Sequence, residues 1–185
     1  MKDSLMFLSN FIRNPKETGA VAPSSKYLTK EITKSIDFKN SKYIVELGPG
    51  TGIFTKAILK KASQDAKIIC FEVNKKFCSY LSKNFDDDRL IVLNAGAEKI
   101  KTNLKKLNIN GADCIVSGLP FKNFSNAKKR IILAETKNSL MPEGRFVVFQ
   151  YTNGLSKMLK EHFNRISRKF VPLNIPPSFV YICEK

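Results

Sequence analysis

Apolar positions along the chain follow two rhythms. Short β-branched and aromatic runs predict strands at Tyr43–Leu47, Ile68–Glu72, Leu90–Leu93, Cys114–Ser117, Phe146–Tyr151, Phe170–Leu173 and Phe179–Cys183. Between them, apolar residues recur every three or four positions, which predicts helices over Thr51–Lys61, Lys75–Asn84, Ala97–Leu107, Asn126–Leu140 and Leu155–Phe163. Strand runs without a solvent-facing alternation, separated by helices, imply a mostly parallel seven-stranded sheet covered on both faces, an α/β fold. Only NIPPS separates the last two strands, too little for a helical crossover, so the last strand should pair antiparallel.

Ahead of this alternation, "MKDSLMFLSNFIRN" places Leu5, Leu8, Phe11 and Ile12 at helical spacing until Pro15 stops the pattern. A second helix opens at Pro23–Ser25, with Ser24 or Ser25 as cap, and carries Tyr27, Leu28 and Ile32. The chain therefore divides into a helical lead-in over residues 1–40, a lid or anchor, and one domain over residues 41–185. Its length of 185 residues is that of one domain with a core of its own.

Charge changes this picture. Thirty-two Lys and Arg stand against sixteen Asp and Glu, a net +16 spread along the chain, a field that attracts RNA phosphates or an anionic membrane leaflet without choosing between them. Cys70, Cys78, Cys114 and Cys183 lie outside any CxxC or zinc spacing and in apolar settings, which reads as buried reduced thiols in a cytoplasmic protein and no metal site. His162 sits on a helix with no evident partner. Neither a cleavable leader nor a membrane-spanning run is apparent, so the expected location is cytoplasmic, peripheral at the inner membrane face.

The candidate chemistry begins at "IVELGPGTGIF". Gly48, Gly50 and Gly52 are spaced GxGxG where a strand turns into a helix. A dinucleotide fingerprint needs glycine at the position of Ile53, and a P-loop needs GK[ST]; neither is present. Residues without Cβ still permit close backbone approach by an amino acid and a ribose, which fits S-adenosylmethionine. Glu72 ends the second strand where an acid can accept from both ribose hydroxyls, with Val73 beside it. Glu46 is an acid within an apolar strand, a candidate for ordering the glycine loop or holding the methionine ammonium.

"VELGPGTGIFTKAIL", "FEVNKKF" and "LMPEGRFVVFQ" resemble motifs of class I S-adenosylmethionine-dependent methyltransferases. The flanking "FLSNFIRNPKETGAVAPSSKYLTKEI", "VSGLPFKNF" and "LNIPPSFVY" resemble bacterial phospholipid N-methyltransferases, and more distantly the chain is similar to ribosomal RNA adenine dimethyltransferases. The resemblance implies a Rossmann-like fold, S-adenosylmethionine as cofactor and a phosphatidylethanolamine-like amine as acceptor. Two positions depart from the pattern. Ala95 stands where the family usually places an Asp that holds the adenine amino group, with Asn94 and Glu98 as nearby substitutes, and Asn153 replaces an aromatic of the lipid enzymes.

"SGLPF" follows the fourth strand, where an acceptor site belongs in an open α/β sheet. Base-methylating enzymes show a similar [N/D/S]-x-P-[Y/F] tetrad, but here its first residue is Gly118, which has no side chain to accept an amine proton. Phe121 is either a stacking platform or core. The residues expected to border the amine are Ser117, Leu119 and Tyr27, with Tyr151 as neighbour; no general base is identified, and a proton-relaying water or a tyrosine serves in its place. The reading favoured by these residues is an N-methyltransferase on a phospholipid head-group amine at an anionic membrane surface. The apolar face of residues 1–14 either lies in the head-group region or covers the cofactor. The alternatives are an N6-adenine methyltransferase on RNA, favoured by charge but lacking the helical RNA-binding domain expected after the catalytic one, and a binding module without catalysis.

Overall fold

The computed structural model describes residues 25–185. The helix expected over residues 1–14 lies outside the described residues. Seven strands form one sheet: β1 (Tyr43–Leu47), β2 (Lys67–Phe71), β3 (Leu90–Leu93), β4 (Ala112–Ser117), β5 (Leu140–Gln150), β6 (Arg165–Val171) and β7 (Ser178–Glu184). Among the described residues six α-helices accompany them: α1 (Lys26–Lys34), α2 (Ile53–Leu59), α3 (Lys75–Asn84), α4 (Ile100–Lys106), α5 (Asn126–Ser139) and α6 (Ser156–His162). The spatial order is β3-β2-β1-β4-β5-β7-β6, parallel from β3 to β5, with β7 antiparallel to both its neighbours.

Alternating strand residues feed two cores. Ile44, Ile68, Cys70, Val116 and Val147 pack under Leu28 and Ile32 of α1 and Phe54 and Ile58 of α2. Val45, Leu47, Ile69, Ile115 and Val148 pack against Ile100 and Leu104 of α4, Ile132 and Leu133 of α5 and Leu159 of α6. Burial on both faces explains why these strands read as continuous apolar runs. Of the two serines offered as the α1 cap, Ser25 takes the role: its Oγ accepts from Leu28 N at 3.2 Å.

Several boundaries moved. β5 begins at Leu140 rather than Phe146, because "MPEG" continues the strand past an irregularity in its register with β4 instead of making a turn. Gly144 is required there, since a Cβ would lie 2.8 Å from the Ala112 carbonyl oxygen. Tyr151 falls just past the strand. β6 occupies Arg165–Val171, and Leu173 belongs to the turn beyond it. β6 is an edge strand with exposed polar residues on both faces, so it lacks the apolar run used to find strands, and its Arg and Lys residues blunt a free sheet edge.

Sheet order reverses between β1 and β4, since the chain first moves outward through β2 and β3 and then returns to the other side of β1. In open α/β sheets the crevice beyond the carboxyl ends of strands at such a reversal takes the ligand. Here it lies between the turn after Leu47 and the turn after Ser117.

Candidate active site

The turn after β1 depends on backbone conformations that side chains disfavour. Gly48, Gly50 and Gly52 have φ of 70°, 54° and 81°, all in the left-handed region. At Gly52 the surroundings forbid a side chain as well: a Cβ would meet the Phe85 ring at 2.7 Å and Leu81 Cδ2 at 2.8 Å. At Gly50 a Cβ would meet nothing within 4 Å, so this part of the loop is open on the side where a side chain would project. The loop is tied down by Gly48 N donating to the Phe71 carbonyl at 2.9 Å and Gly50 N donating to Glu72 Oε2 at 3.2 Å.

Glu72 sits immediately after β2, with Oε1 accepting from Asn74 N at 2.8 Å. Burial raises its pKa, against the opposing backbone hydrogen bonds of Asn74 and Gly50. The Asn94 amide nitrogen donates to the carbonyls of Glu72 and Val73 at 2.9 and 3.0 Å, clasping the end of β2 to the end of β3. Val73 is exposed, and the Glu98 carboxylate folds over Gly96, where a side chain would collide with it.

Glu46 is wholly buried. Its Oε2 accepts from the Thr55 hydroxyl on α2 at 2.6 Å, and the Cys70 thiol donates to the same oxygen at 3.6 Å. Its Oε1 has no hydrogen-bond partner among the described residues. Desolvation pushes the pKa up to about 7, opposed by the Thr55 and Cys70 hydrogen bonds and assisted by the charge of Glu72. The acid thus joins β1 to the first turns of α2. Two carboxylates raised by burial thus lie at one glycine loop, Glu46 in the strand before it and Glu72 bonded to Gly50 N within it.

Across the switch point, Gly118 N donates to the Leu47 carbonyl at 2.9 Å, and a Cβ on Gly118 would lie 3.0 Å from the Gly48 carbonyl oxygen. Ser117 is completely buried and its Oγ accepts from Leu119 N at 3.3 Å, so its hydroxyl shapes the turn. The Leu119 side chain covers Gly48, and its carbonyl accepts from Gln150 Nε2 at 3.4 Å. Phe121 is buried with its ring edge-on to Phe124, which makes it core rather than a stacking platform.

The fold thus assembles Glu46, Gly48, Gly50, Gly52, Glu72, Val73, Asn94, Glu98, Ser117 and Leu119 around one crevice. Tyr27 and Tyr151 make contacts of other kinds. Tyr27 is partly exposed on α1, with Lys26 Nζ 5.2 Å from its ring centroid. Tyr151 packs edge-on against Phe149, and its hydroxyl is buried without a hydrogen-bond partner among the described residues. Desolvation raises its pKa, with the Asn174 side chain opposing.

Sequence reasoning passed over Thr55, although its place on the buried face of α2 beside Phe54 and Ile58 was a usable signal, and Gln150, a buried amide ending an apolar strand. His162 Nδ1 lies 2.8 Å from the Met158 carbonyl oxygen within α6. Cys70, Cys114 and Cys183 are buried free thiols, while Cys78 is half-buried. Among the described residues no cluster of His, Cys, Asp or Glu is placed to hold a metal, and no helix is long and apolar enough to cross a membrane.

Residues 9–166 match the profile of the ribosomal RNA adenine dimethylase family. The chain belongs to this family. Like other family members it is a class I S-adenosylmethionine-dependent methyltransferase, an enzyme rather than a non-catalytic module. It is 29% identical over 186 residues to the ornithine lipid N-methyltransferase of Singulisphaera acidiphila, covering 100% of this chain and 97% of that protein. It is 32% identical over 123 residues to ribosomal RNA small subunit methyltransferase A of Mesomycoplasma hyopneumoniae, a match over 64% of this chain and 46% of that protein. Two solved structures share the fold. The Burkholderia thailandensis 1,6-didemethyltoxoflavin-N1-methyltransferase, with S-adenosylhomocysteine bound, is 13% identical, with a TM-score of 0.70 over 100% of this chain and 89% of its own. The N-methyltransferase NodS from Bradyrhizobium japonicum is 10% identical, with a TM-score of 0.69 over 85% and 94%.

Proposed function

We propose that this methyltransferase acts on the head-group amine of a membrane lipid, with phosphatidylethanolamine and ornithine lipid as the two acceptors to test. The observation that carries this reading is the similarity to the ornithine lipid enzyme, which runs through 100% of this chain, whereas the ribosomal RNA enzyme matches 64% of it.

The crevice fits the cofactor on its own terms. The open side of Gly50 leaves room for a nucleoside, Glu72 keeps acceptor capacity for ribose hydroxyls, and the unpartnered Glu46 Oε1 suits an ammonium. S-adenosylmethionine supplies an electrophilic methyl group on a sulfonium. Asn94, which braces the Glu72–Val73 backbone, and Glu98 would hold the adenine end of the cofactor in place of the family's Asp. On the acceptor side, Ser117 and Gln150 position the Leu119 backbone, so that carbonyl oxygens of this turn take hydrogen bonds from the amine and aim its lone pair. Tyr27 borders the entrance. Tyr151, its pKa raised by burial, keeps its proton and serves as a donor, not as the base.

A second reading, N6-methylation of adenine in RNA, is favoured by the family match and the net charge of +16. Transfer of radiolabelled methyl from S-adenosylmethionine to phosphatidylethanolamine vesicles, ornithine lipid vesicles and total RNA, side by side, decides between them. Label in either lipid supports the first reading and names the head group; label confined to RNA overturns it.

A further inference from the structure

The end of β6 and the turn joining it to β7 present apolar side chains to solvent at the same end of the sheet as the candidate active site. Phe170, Leu173 and Ile175 are 57%, 60% and 83% exposed. Between the latter two, Asn174 is buried: its Oδ1 accepts from Ser25 N at 3.1 Å, and its Nδ2 donates to the Pro176 carbonyl at 2.7 Å. Pinning Asn174 inward turns its two neighbours outward on a braced support, with Pro172, Pro176 and Pro177 limiting the freedom of the turn. Scattered exposed apolar residues are ordinary, but Leu173 and Ile175 in one short turn, with Phe170 at the end of the strand leading into it, form a contact surface.

Position and charge identify what that surface meets. Phe170 pairs with Phe179, Phe179 with Gln150, and Gln150 reaches the Leu119 carbonyl, a continuous path along the carboxyl end of the sheet from the tip to the acceptor turn. That path crosses three strand spacings, about 14 Å. Flanking the tip are Lys26 at the start of α1, Arg168, whose guanidinium stacks over Phe179 at 4.9 Å, and Lys169, which pairs with Glu31 at 2.8 Å. Apolar residues ringed by cations suit the boundary between acyl chains and anionic head groups. A nucleic acid would use the cations and leave Leu173 and Ile175 in water.

We infer that the β6–β7 turn is a membrane-docking element that dips Leu173 and Ile175 into an anionic bilayer and brings the acceptor turn to head-group level. This inference rests on the lipid reading above and adds to it where the protein touches the bilayer.

The chain contains no tryptophan, so Leu173→Trp is a single fluorescent reporter at the tip. Vesicles of phosphatidylethanolamine and phosphatidylglycerol, with and without acyl-chain bromination, provide the surface. The expected result is a blue shift on adding vesicles and quenching by the brominated lipid. In parallel, Leu173→Ser with Ile175→Ser should weaken vesicle flotation by about tenfold or more, the scale of withdrawing several methylene groups from an apolar phase. S-adenosylhomocysteine affinity by calorimetry should stay unchanged, which excludes misfolding. Unshifted emission while the protein floats would overturn the docking role and leave the lipid reading standing, with the tip then covered by a second copy or by the chain itself. A protein that neither floats nor labels lipid, but labels RNA, would overturn both.

Discussion

The Thr55 hydroxyl donates to Glu46 Oε2 at 2.6 Å, and this bond joins the strand before the glycine loop to the helix after it. Because burial raises Glu46 from 4.5 to about 7, the folded cofactor-free protein binds more protons than the unfolded chain between those values. The stability contributed by the protonated form is fully present below about pH 4.5 and is lost as pH rises through about 7, a change of about 3 kcal/mol. Urea denaturation near pH 5 and near pH 8 should show this loss, and Glu46→Gln should remove most of it. An equal loss in the variant would place the titration elsewhere.

Two glycines of the same loop should fail in different ways. Gly52→Ala adds a methyl group 2.7 Å from the Phe85 ring at a left-handed residue, so it should cost about 2–5 kcal/mol of folding stability from strain and overpacking. Gly50→Ala enters open space and should cost only about 1–2 kcal/mol of conformational strain. Its methyl group nevertheless fills the proposed nucleoside cradle, so cofactor affinity by calorimetry should fall further than stability. Full affinity in Gly50→Ala would move the nucleoside away from this side of the loop.

Glu72 holds Gly50 N and Asn74 N and is the proposed ribose acceptor. Glu72→Ala should weaken S-adenosylmethionine binding by about 1–3 kcal/mol, the scale of losing hydrogen bonds to a charged group. Glu72→Gln, which keeps one acceptor oxygen, should recover part of the loss; no difference between the two would argue against direct contact.

Asn153 replaces an aromatic of the lipid-enzyme pattern, and the structure gives it a job. Its Oδ1 accepts from Arg168 Nη1 at 3.0 Å and from the Tyr181 hydroxyl at 3.1 Å, tying the end of β5 to β6 and β7. Asn153→Ala strands the buried Tyr181 hydroxyl and should cost about 1–3 kcal/mol. Adding Tyr181→Phe should return part of it, because an absent hydroxyl needs no partner; a double-mutant cycle measures the coupling.

Much of this molecule is determined within short stretches of its sequence. The parallel strands were legible because both their faces are buried, and the glycine loop because left-handed backbone at Gly48, Gly50 and Gly52 admits few other residues. Glu46 and Glu72 stood out as acids beside apolar runs. What sequence could not supply was partnership across distance. Thr55 lies 2.6 Å from Glu46 only because α2 folds back over β1, and Phe121 is core only because α5 and the following turn close over it. β6 was misplaced because an edge strand needs no apolar face, and its pairing with β7 through backbone hydrogen bonds leaves no mark on residue type. The same tertiary pairing carried Leu173 and Ile175 to the end of the sheet that holds the glycine loop. Local backbone demands are written in single residues; the meeting of crevice and apolar tip arises from strand order, which only long-range packing selects.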